Sequence, residues 1–370
     1  MFFSKQKKGQ TILTIDIGSS SVGAALVSVT ENESPKIVFC TRSPIALLSE
    51  AERSHSVAST VQALELTMEA VIKQHTPFDK SHIIFSSPWC TSETKFLKVE
   101  KDALFQVAKH DIEKLTQQAE EEYLKGSSVV SEIIEHKIIR IRLNGYDTPN
   151  PYNKKAKTVE VAFFASIVQK DILESVRRVV EKHFHVRRNE MSSFSLAVFG
   201  AMSGIMPNEH NFLIVDVRGE VTDLSSVVDG ALTKNLSFSP GKTALIKAVS
   251  DGSGNSLPAS LFLVSATFED KVLPTTQDKV MESAEKFKKI WIDSFNNAIL
   301  EIYGRPSVPE TIFLISDLDV EVFFDKMFAE LNQNQTVHLL KNLNVKNFLD
   351  KNSVPTDQFL ALESIFVTMI

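Results

Sequence analysis

One local pattern occurs twice in this chain, 200 residues apart, and it limits the folds available more than any other feature. Residues 11–16 are a short apolar run closing in Asp16; the turn Gly18-Ser19-Ser20-Ser21 and a second apolar run, 22–29, follow. Residues 212–216 repeat this as Phe-Leu-Ile-Val-Asp, with a turn containing Gly219 and another apolar run over 221–228. Each copy reads as a β-hairpin. Self-similarity at a fixed spacing indicates an internal duplication, so the chain should contain two related units, each opening with its own hairpin.

Between the hairpins the pattern alternates strand and helix. A third strand is expected over 36–41, and Val57, Val61, Leu64, Met68, Val71 and Ile72 recur at helical spacing. The next segments read as strands over 82–86 and 94–99 and a charged amphipathic helix over 104–125 that stops at Gly126. Two β runs then flank a polar surface loop at 144–157, and helices are expected over 171–184 and 192–202. After the second hairpin come a Gly/Ser/Asn/Pro-rich loop at 251–258, a long helix at 278–303, a strand at 311–316 and a helix at 320–331. Residues 359–369 read as an apolar helix or strand. Strands feeding helices in this order define an α/β class.

Composition removes several alternatives. The 370 residues carry 40 Lys+Arg against 46 Asp+Glu, a net charge of −6, which disfavours a basic nucleic-acid binder. Only Cys40 and Cys90 occur, so neither a disulfide framework nor a cysteine-rich zinc module can form, and a reducing cytoplasmic setting is expected. No apolar run reaches the roughly 18 residues a membrane span requires. Gly241-Lys242-Thr243 lacks the earlier glycine of a phosphate-binding Walker loop, since position 236 is Leu. His183-Phe184-His185, beside Arg187 and Arg188, reads as a polar helix end rather than a metal site. Glu120-Glu121-Glu122 reads as a solvated helix face, and Phe2, Phe3, Lys5, Lys7 and Lys8 as a frayed terminus. Pro88-Trp89 fits either an exposed partner anchor or a buried Trp.

The string Ile15-Asp16-Ile17-Gly18-Ser19-Ser20-Ser21-Val22 resembles the first phosphate motif of the bacterial actin-like proteins FtsA and PilM. Ser239-Pro240-Gly241-Lys242-Thr243 is similar to the turn after the family's second hairpin, and residues 308–316 resemble the strand entering its adenosine motif. The resemblance implies an actin-like ATPase fold of two duplicated RNase H-like domains with a small α+β inserted subdomain. It places the first domain at 1–80 and 167–205, with 355–370 returning to it. The insert falls at 81–166, with Asn150-Pro151-Tyr152 similar to the family's Asn-Pro turn, and the second domain at 206–354, with 246–304 as its helical part. It further implies ATP and Mg as cofactors held by Asp16, Gly18, Ser19, Ser20, Ser21, Asp216, Gly219, Thr222 and Ser316, with Asp16 and Asp216 reaching the metal.

The same resemblance exposes three departures. The position seven after Asp16, where PilM carries a phosphate-neutralising Lys, is Gly23. In the second hairpin Arg218 replaces a Gly and Glu220 adds a carboxylate, while the adenosine motif reads Ser316-Asp317 instead of Gly-Gly. The expected function is therefore an actin-like scaffold at the inner face of the cell membrane with weakened or lost ATPase activity. The implied partner is the cytoplasmic tail of a PilN-like inner-membrane assembly protein, or an FtsZ-like tail, with self-association also open. The alternative is an active ATPase in which Arg218 substitutes for the missing Lys.

Overall fold

The structure is a computed structural model that describes residues 9–47, 56–184, 189–269, 271, 273–305, 309–331, 338–339 and 345–369. In chain order the elements are β1 (Gln10–Ile17), β2 (Ser21–Val29), β3 (Lys36–Pro44), α1 (Ser56–Ile72), β4 (Lys80–Phe85), β5 (Cys90–Gln106) and α2 (Lys109–Gly126). There follow β6 (Ser131–Leu143), β7 (Tyr146–Asp147), β8 (Lys155–Gln169), α3 (Lys170–His183), β9 (Asn189–Ser193), α4 (Phe194–Ile205), β10 (Phe212–Val217), β11 (Thr222–Val228) and β12 (Ala231–Phe238). The chain continues through α5 (Lys242–Ser253), α6 (Leu257–Phe268), α7 (Pro274–Tyr303), β13 (Thr311–Ser316), α8 (Glu321–Leu331), β14 (His338–Leu339) and α9 (Gln358–Phe366).

The strands form three sheets, ordered β3-β2-β1-β4-β9, β12-β11-β10-β13-β14 and β5-β8-β6-β7. The first two are built alike: an antiparallel hairpin, β1-β2 or β10-β11, whose first strand also pairs in parallel with a later strand, β4 or β13. The repeated pattern thus becomes a repeated sheet.

The two-residue period of a strand decides which side chains meet across the molecule. In β1, Leu13, Ile15 and Ile17 pack outward against α1 and α3, while Ile12 joins the core between the sheets. In β10, Leu213, Val215 and Val217 pack outward with α5 to α8, while Phe212 and Ile214 face the same inner core. The helices α4 and α9 fill that space through Phe194, Phe199, Phe359 and Phe366, so the two sheets share one apolar core. Asp16 and Asp216 continue the inward-facing rows and are both buried.

Several sequence expectations are corrected. The helix expected from 104 begins at Lys109, and Leu104 and Phe105 end the long strand β5, where Phe105 pairs with Ala156. A strand, β9, occupies 189–193 before α4, because these residues complete the first sheet beside β4. The 251–258 loop contracts to residues 254–256, with α5 running to Ser253, Gly254 in the left-handed region at φ 73° and Pro258 in the first turn of α6. The 144–157 tract contains the short β7 and the start of β8.

The third sheet packs one face on α2 and braces the second. Thr94 Oγ1 donates to the Leu232 carbonyl at 2.9 Å, and Arg140 Nη1 donates to the Asp229 carbonyl at 3.3 Å. In the second sheet's outer core Trp291 is fully buried, stacks on Phe295 at 5.2 Å and donates through Nε1 to Thr222 Oγ1 at 3.0 Å. Trp291→Ala is expected to cost about 3–5 kcal/mol in urea unfolding. Trp291→Phe, which keeps most of the volume but loses the hydrogen bond, should cost about 1 kcal/mol for that bond plus any packing defect.

Candidate functional site

The site lies where the two hairpin turns meet. Arg218, two residues after Asp216 and therefore on the same inward face, is fully buried between the sheets. Its Nη1 reaches Asp16 at 3.1 Å and its Nε reaches Asp216 at 3.0 Å. The guanidinium is flanked by two aromatic rings, 3.8 Å from the Phe359 centroid and 4.2 Å from that of Phe194. Planar stacking and fork geometry suit Arg to such a position. Its Nη2 has no hydrogen-bond partner.

A second cation approaches Asp16 from the side. Asp16 pairs in register with Gly23 on β2, and Gly23 with Arg42 on β3. The bare Cα of Gly23 lets the Arg42 side chain lie across it: a Cβ there would meet the guanidinium at 2.7 Å. Arg42 thereby reaches Asp16 at 2.8 Å and Asp357, at the start of α9, also at 2.8 Å. The position where the family resemblance implied a lysine is thus bridged by an arginine two strands away.

The third departure also finds its partner. Asp317 binds Lys242 at 2.6 Å and accepts a hydrogen bond from Ser20 Oγ at 2.7 Å, while Lys242 also reaches Asp319 at 3.0 Å. The lysine of the Gly-Lys-Thr string is therefore held by the carboxylates after β13. Arg42, Lys242, Phe194 and Phe359 were not singled out by sequence reasoning as site residues. Gly23 inside a strand was the one signal pointing to a side chain crossing it.

The two turns touch directly. The Glu220 amide donates to Ser19 Oγ at 3.2 Å, and a Cβ on Gly219 would fall 2.9 Å from the Ser19 carbonyl oxygen. Gly18 donates its amide to the Ser21 carbonyl and receives Trp89 Nε1 on its own carbonyl at 3.2 Å, so Trp89 is buried rather than an exposed anchor. Ser21 Oγ accepts from Arg42 at 3.0 Å. Thr222 turns its hydroxyl to the Pro240 carbonyl at 3.0 Å, and Ser316 is buried at the end of β13 opposite Val217. Asp16, Ser19, Ser20, Ser21, Asp216 and Gly219 therefore gather at one junction, with Thr222 and Ser316 bordering it. Of the residues considered for metal binding, His183 pairs with Glu65, and His185, Arg187 and Arg188 lie outside the described residues. Among the described residues no cluster of three or more His, Cys, Asp or Glu could hold a metal. Phe2 to Lys8 and Val308 also lie outside the described residues.

At the junction carboxylates outnumber cations. Arg42, Arg218 and Lys242 face Asp16, Asp216, Asp317, Asp319 and Asp357. Burial, with Asp223 and Asp16 adding to it against Arg218, pushes the Asp216 carboxyl up to about 7. Burial likewise raises the Glu363 carboxyl of α9 well above its ordinary value, with Asp16 adding to the shift. Little positive potential is left over for a polyphosphate.

These features define an actin-like fold: two sheets of repeated design facing each other, a hairpin turn from each meeting in the cleft, and an extra subdomain inserted after β4. Among solved structures the chain is similar to one from a PilM-PilN type IV pilus biogenesis complex, with a TM-score of 0.64 at 13% identity over 97% of each chain. It is also similar to the ethanolamine utilization protein EutJ from Carboxydothermus hydrogenoformans, with a TM-score of 0.47 at 10% identity over 100% of this chain and 93% of the other. A Bacteroides thetaiotaomicron protein with actin-like ATPase fold gives a TM-score of 0.41 at 11% identity, covering 90% of this chain and 91% of that one. No protein-family model and no curated protein sequence matches the chain.

Two measurements probe the junction. Arg218→Met keeps bulk but strands buried Asp216 without its cation, and should lower stability by about 3–5 kcal/mol near neutral pH. The loss should shrink as pH falls and the stranded carboxyl takes up a proton. For Asp216 itself the folded value lies above the ordinary 3.8, so between 3.8 and about 7 the folded chain holds a proton that the unfolded chain releases. Stability from this group therefore falls as pH rises through that window. Asp216→Asn should flatten that slope in thermal melts recorded across the range.

Proposed function

We propose that this chain is an actin-like scaffold, PilM-like in type IV pilus assembly, in which protein side chains occupy the position a nucleotide's phosphates and metal would take. The observation that carries this reading is the Arg218 guanidinium bonded to Asp16 and Asp216 in the cleft. A metal-bound triphosphate needs those two carboxylates for its metal shell and the turn amides for its oxygens. Here the carboxylates are spent on arginines, and the turns are packed on each other. To admit ATP the junction would have to break buried ion pairs, each costing several kcal/mol.

The reading places the chain in the cytoplasm, peripheral to the inner face of the membrane, as a docking platform for the cytoplasmic tail of a PilN-like membrane protein. The likeness in fold to the chain from a PilM-PilN complex supports that choice over a division role. No helix among the described residues is long and apolar enough to cross a membrane. The division into a first domain at 1–80 and 167–205, an insert at 81–166 and a second domain at 206–354 is part of the same reading. The first and second sheets and the third, inserted sheet support it.

The test is calorimetric titration of the full chain with ATP and magnesium beside Asp16→Ala, together with fluorescence polarisation of a labelled PilN-like tail peptide. The expected outcome is no heat at near-millimolar nucleotide and saturable peptide binding that is indifferent to ATP. Tight nucleotide binding that the Asp16→Ala change abolishes would overturn the degenerate-cleft reading. Absence of peptide binding would overturn the assigned partner.

A further inference from the structure

The inserted sheet joins the first sheet at one end and projects at the other. β5 and β8 pair from Cys90 with Val168 at the joined end to Gln106 with Lys155 at the projecting end. There β5 bulges: between the pairs Glu100 with Thr158 and Phe105 with Ala156, the four residues Lys101 to Leu104 stand opposite Lys157 alone. The β6-β7 turn reaches the same place, since Asn144 Oδ1 accepts from the Lys157 and Thr158 amides at 2.9 and 3.1 Å. The Val107 amide, donating to the Lys154 carbonyl at 2.9 Å, ties in the loop before β8.

Packing does not account for the bulge, because Lys101, Asp102, Ala103 and Leu104 are all exposed. Leu104 is 60% exposed, and Tyr146, beside the β6-β7 turn, is 78% exposed. Large apolar side chains held out on a protrusion are suited to a contact surface.

The chain carries a net charge of −6, yet this end has cations to spare. Lys154, Lys155 and Lys157 are exposed and pair with no carboxylate among the described residues, and Lys101 lies over the Phe105 ring at 4.4 Å. The nearby carboxylates are largely committed elsewhere: Glu100 to Lys98 and Asp147 to Arg142, both at 2.8 Å. Against the four lysines stand Asp102 in the bulge and Asp111 in the first turn of α2.

The kind of cation and the shape of the surface select the partner. Nucleic acid is gripped in grooves by arginine forks and stacked aromatic rings, whereas the spare cations here are flexible lysines on a protruding tip. A lysine stem lies along apolar surface while its ammonium reaches lipid phosphates, a tyrosine ring straddles the headgroup layer, and a leucine enters the acyl boundary.

We propose that the projecting end of the inserted sheet rests on an anionic lipid surface, with Lys101, Lys154, Lys155 and Lys157 among the headgroups and Leu104 and Tyr146 at the acyl boundary. This deepens the reading of the chain as peripheral to the membrane and rests on it. Each lysine near such a surface strengthens binding about fivefold, so the contact is reversible by itself. Its effect is to orient a body that a membrane-anchored partner already holds at high local concentration.

Sedimentation of the full chain with vesicles tests this, using phosphatidylcholine alone and phosphatidylcholine with about one third phosphatidylglycerol. The expected result is binding to the anionic vesicles only, lost as salt rises from about 0.05 to about 0.5 M. Replacing Lys154, Lys155 and Lys157 together by Gln should weaken it roughly a hundredfold, and Leu104→Ser roughly tenfold. The same charge removed from α7, by Lys279→Gln, Lys286→Gln and Lys289→Gln, should leave most of the binding in place. Failure of the unaltered chain to bind anionic vesicles at low salt overturns the proposal. So does equal weakening by the α7 replacement, or binding of a double-stranded DNA oligomer in place of the vesicles. The assay holds neither peptide nor nucleotide, so failure here and failure of the scaffold reading are told apart.

Discussion

The pairing of Arg218 with Asp16 and Asp216 sets what the rest of the molecule can do. Two buried aspartates on facing sheets, each at the end of its strand, would repel if both were ionised and nothing lay between them. In an actin-like fold that place suits a metal ion and phosphates. Here a side chain of the second hairpin delivers the cation, and Phe194 and Phe359 hold it flat. The cation is tethered, so it cannot dissociate as a bound ion would; in the proposed scaffold, closure of the cleft would not depend on the concentration of any ligand.

The departures from the family pattern belong together. Gly23, where the resemblance implied a lysine, is the clearance that lets Arg42 cross β2 to Asp16. Asp317 in place of a glycine is not only an obstruction; it is the counter-charge of Lys242 and the acceptor for Ser20. Arg218 answers both strand-end aspartates. Random loss of a nucleotide site would leave buried charges unpaired, each a liability of several kcal/mol. Here Asp16, Asp216, Asp317, Asp319 and Asp357 each have an opposite charge within contact distance. That pattern is what a cleft rebuilt as an internal ion-pair network requires.

Much of this was legible in the sequence because it follows from short-range periodicity. The repeated run-Asp-turn-run pattern gave both hairpins, and alternation along β1 and β10 put Asp16 and Asp216 on inward faces. The three departures were visible as residue types at motif positions. Their partners were not, because Arg42, Lys242, Phe194 and Phe359 reach the junction through strand register and long-range packing that one sequence does not display. The same reason explains β9: Asn189–Ser193 is polar for a strand and extends only because β4 offers it an edge. Residues 104–106, by contrast, looked helical by local propensity and were drawn into β5 by pairing with β8.

If the cleft is permanently closed, regulation through nucleotide-driven domain rotation is unavailable, and a partner has to read a constant surface. The inserted sheet reinforces this, since Thr94 and Arg140 anchor it to backbone carbonyls of the second unit while its chain ends emerge from the first. A body held at the hairpin junction, in the shared core of α4 and α9 and across the inserted sheet resists hinge motion at three separated places. Rigidity of that kind lowers the ordering cost of each docking event, which suits a platform that assembles other proteins better than it suits a motor.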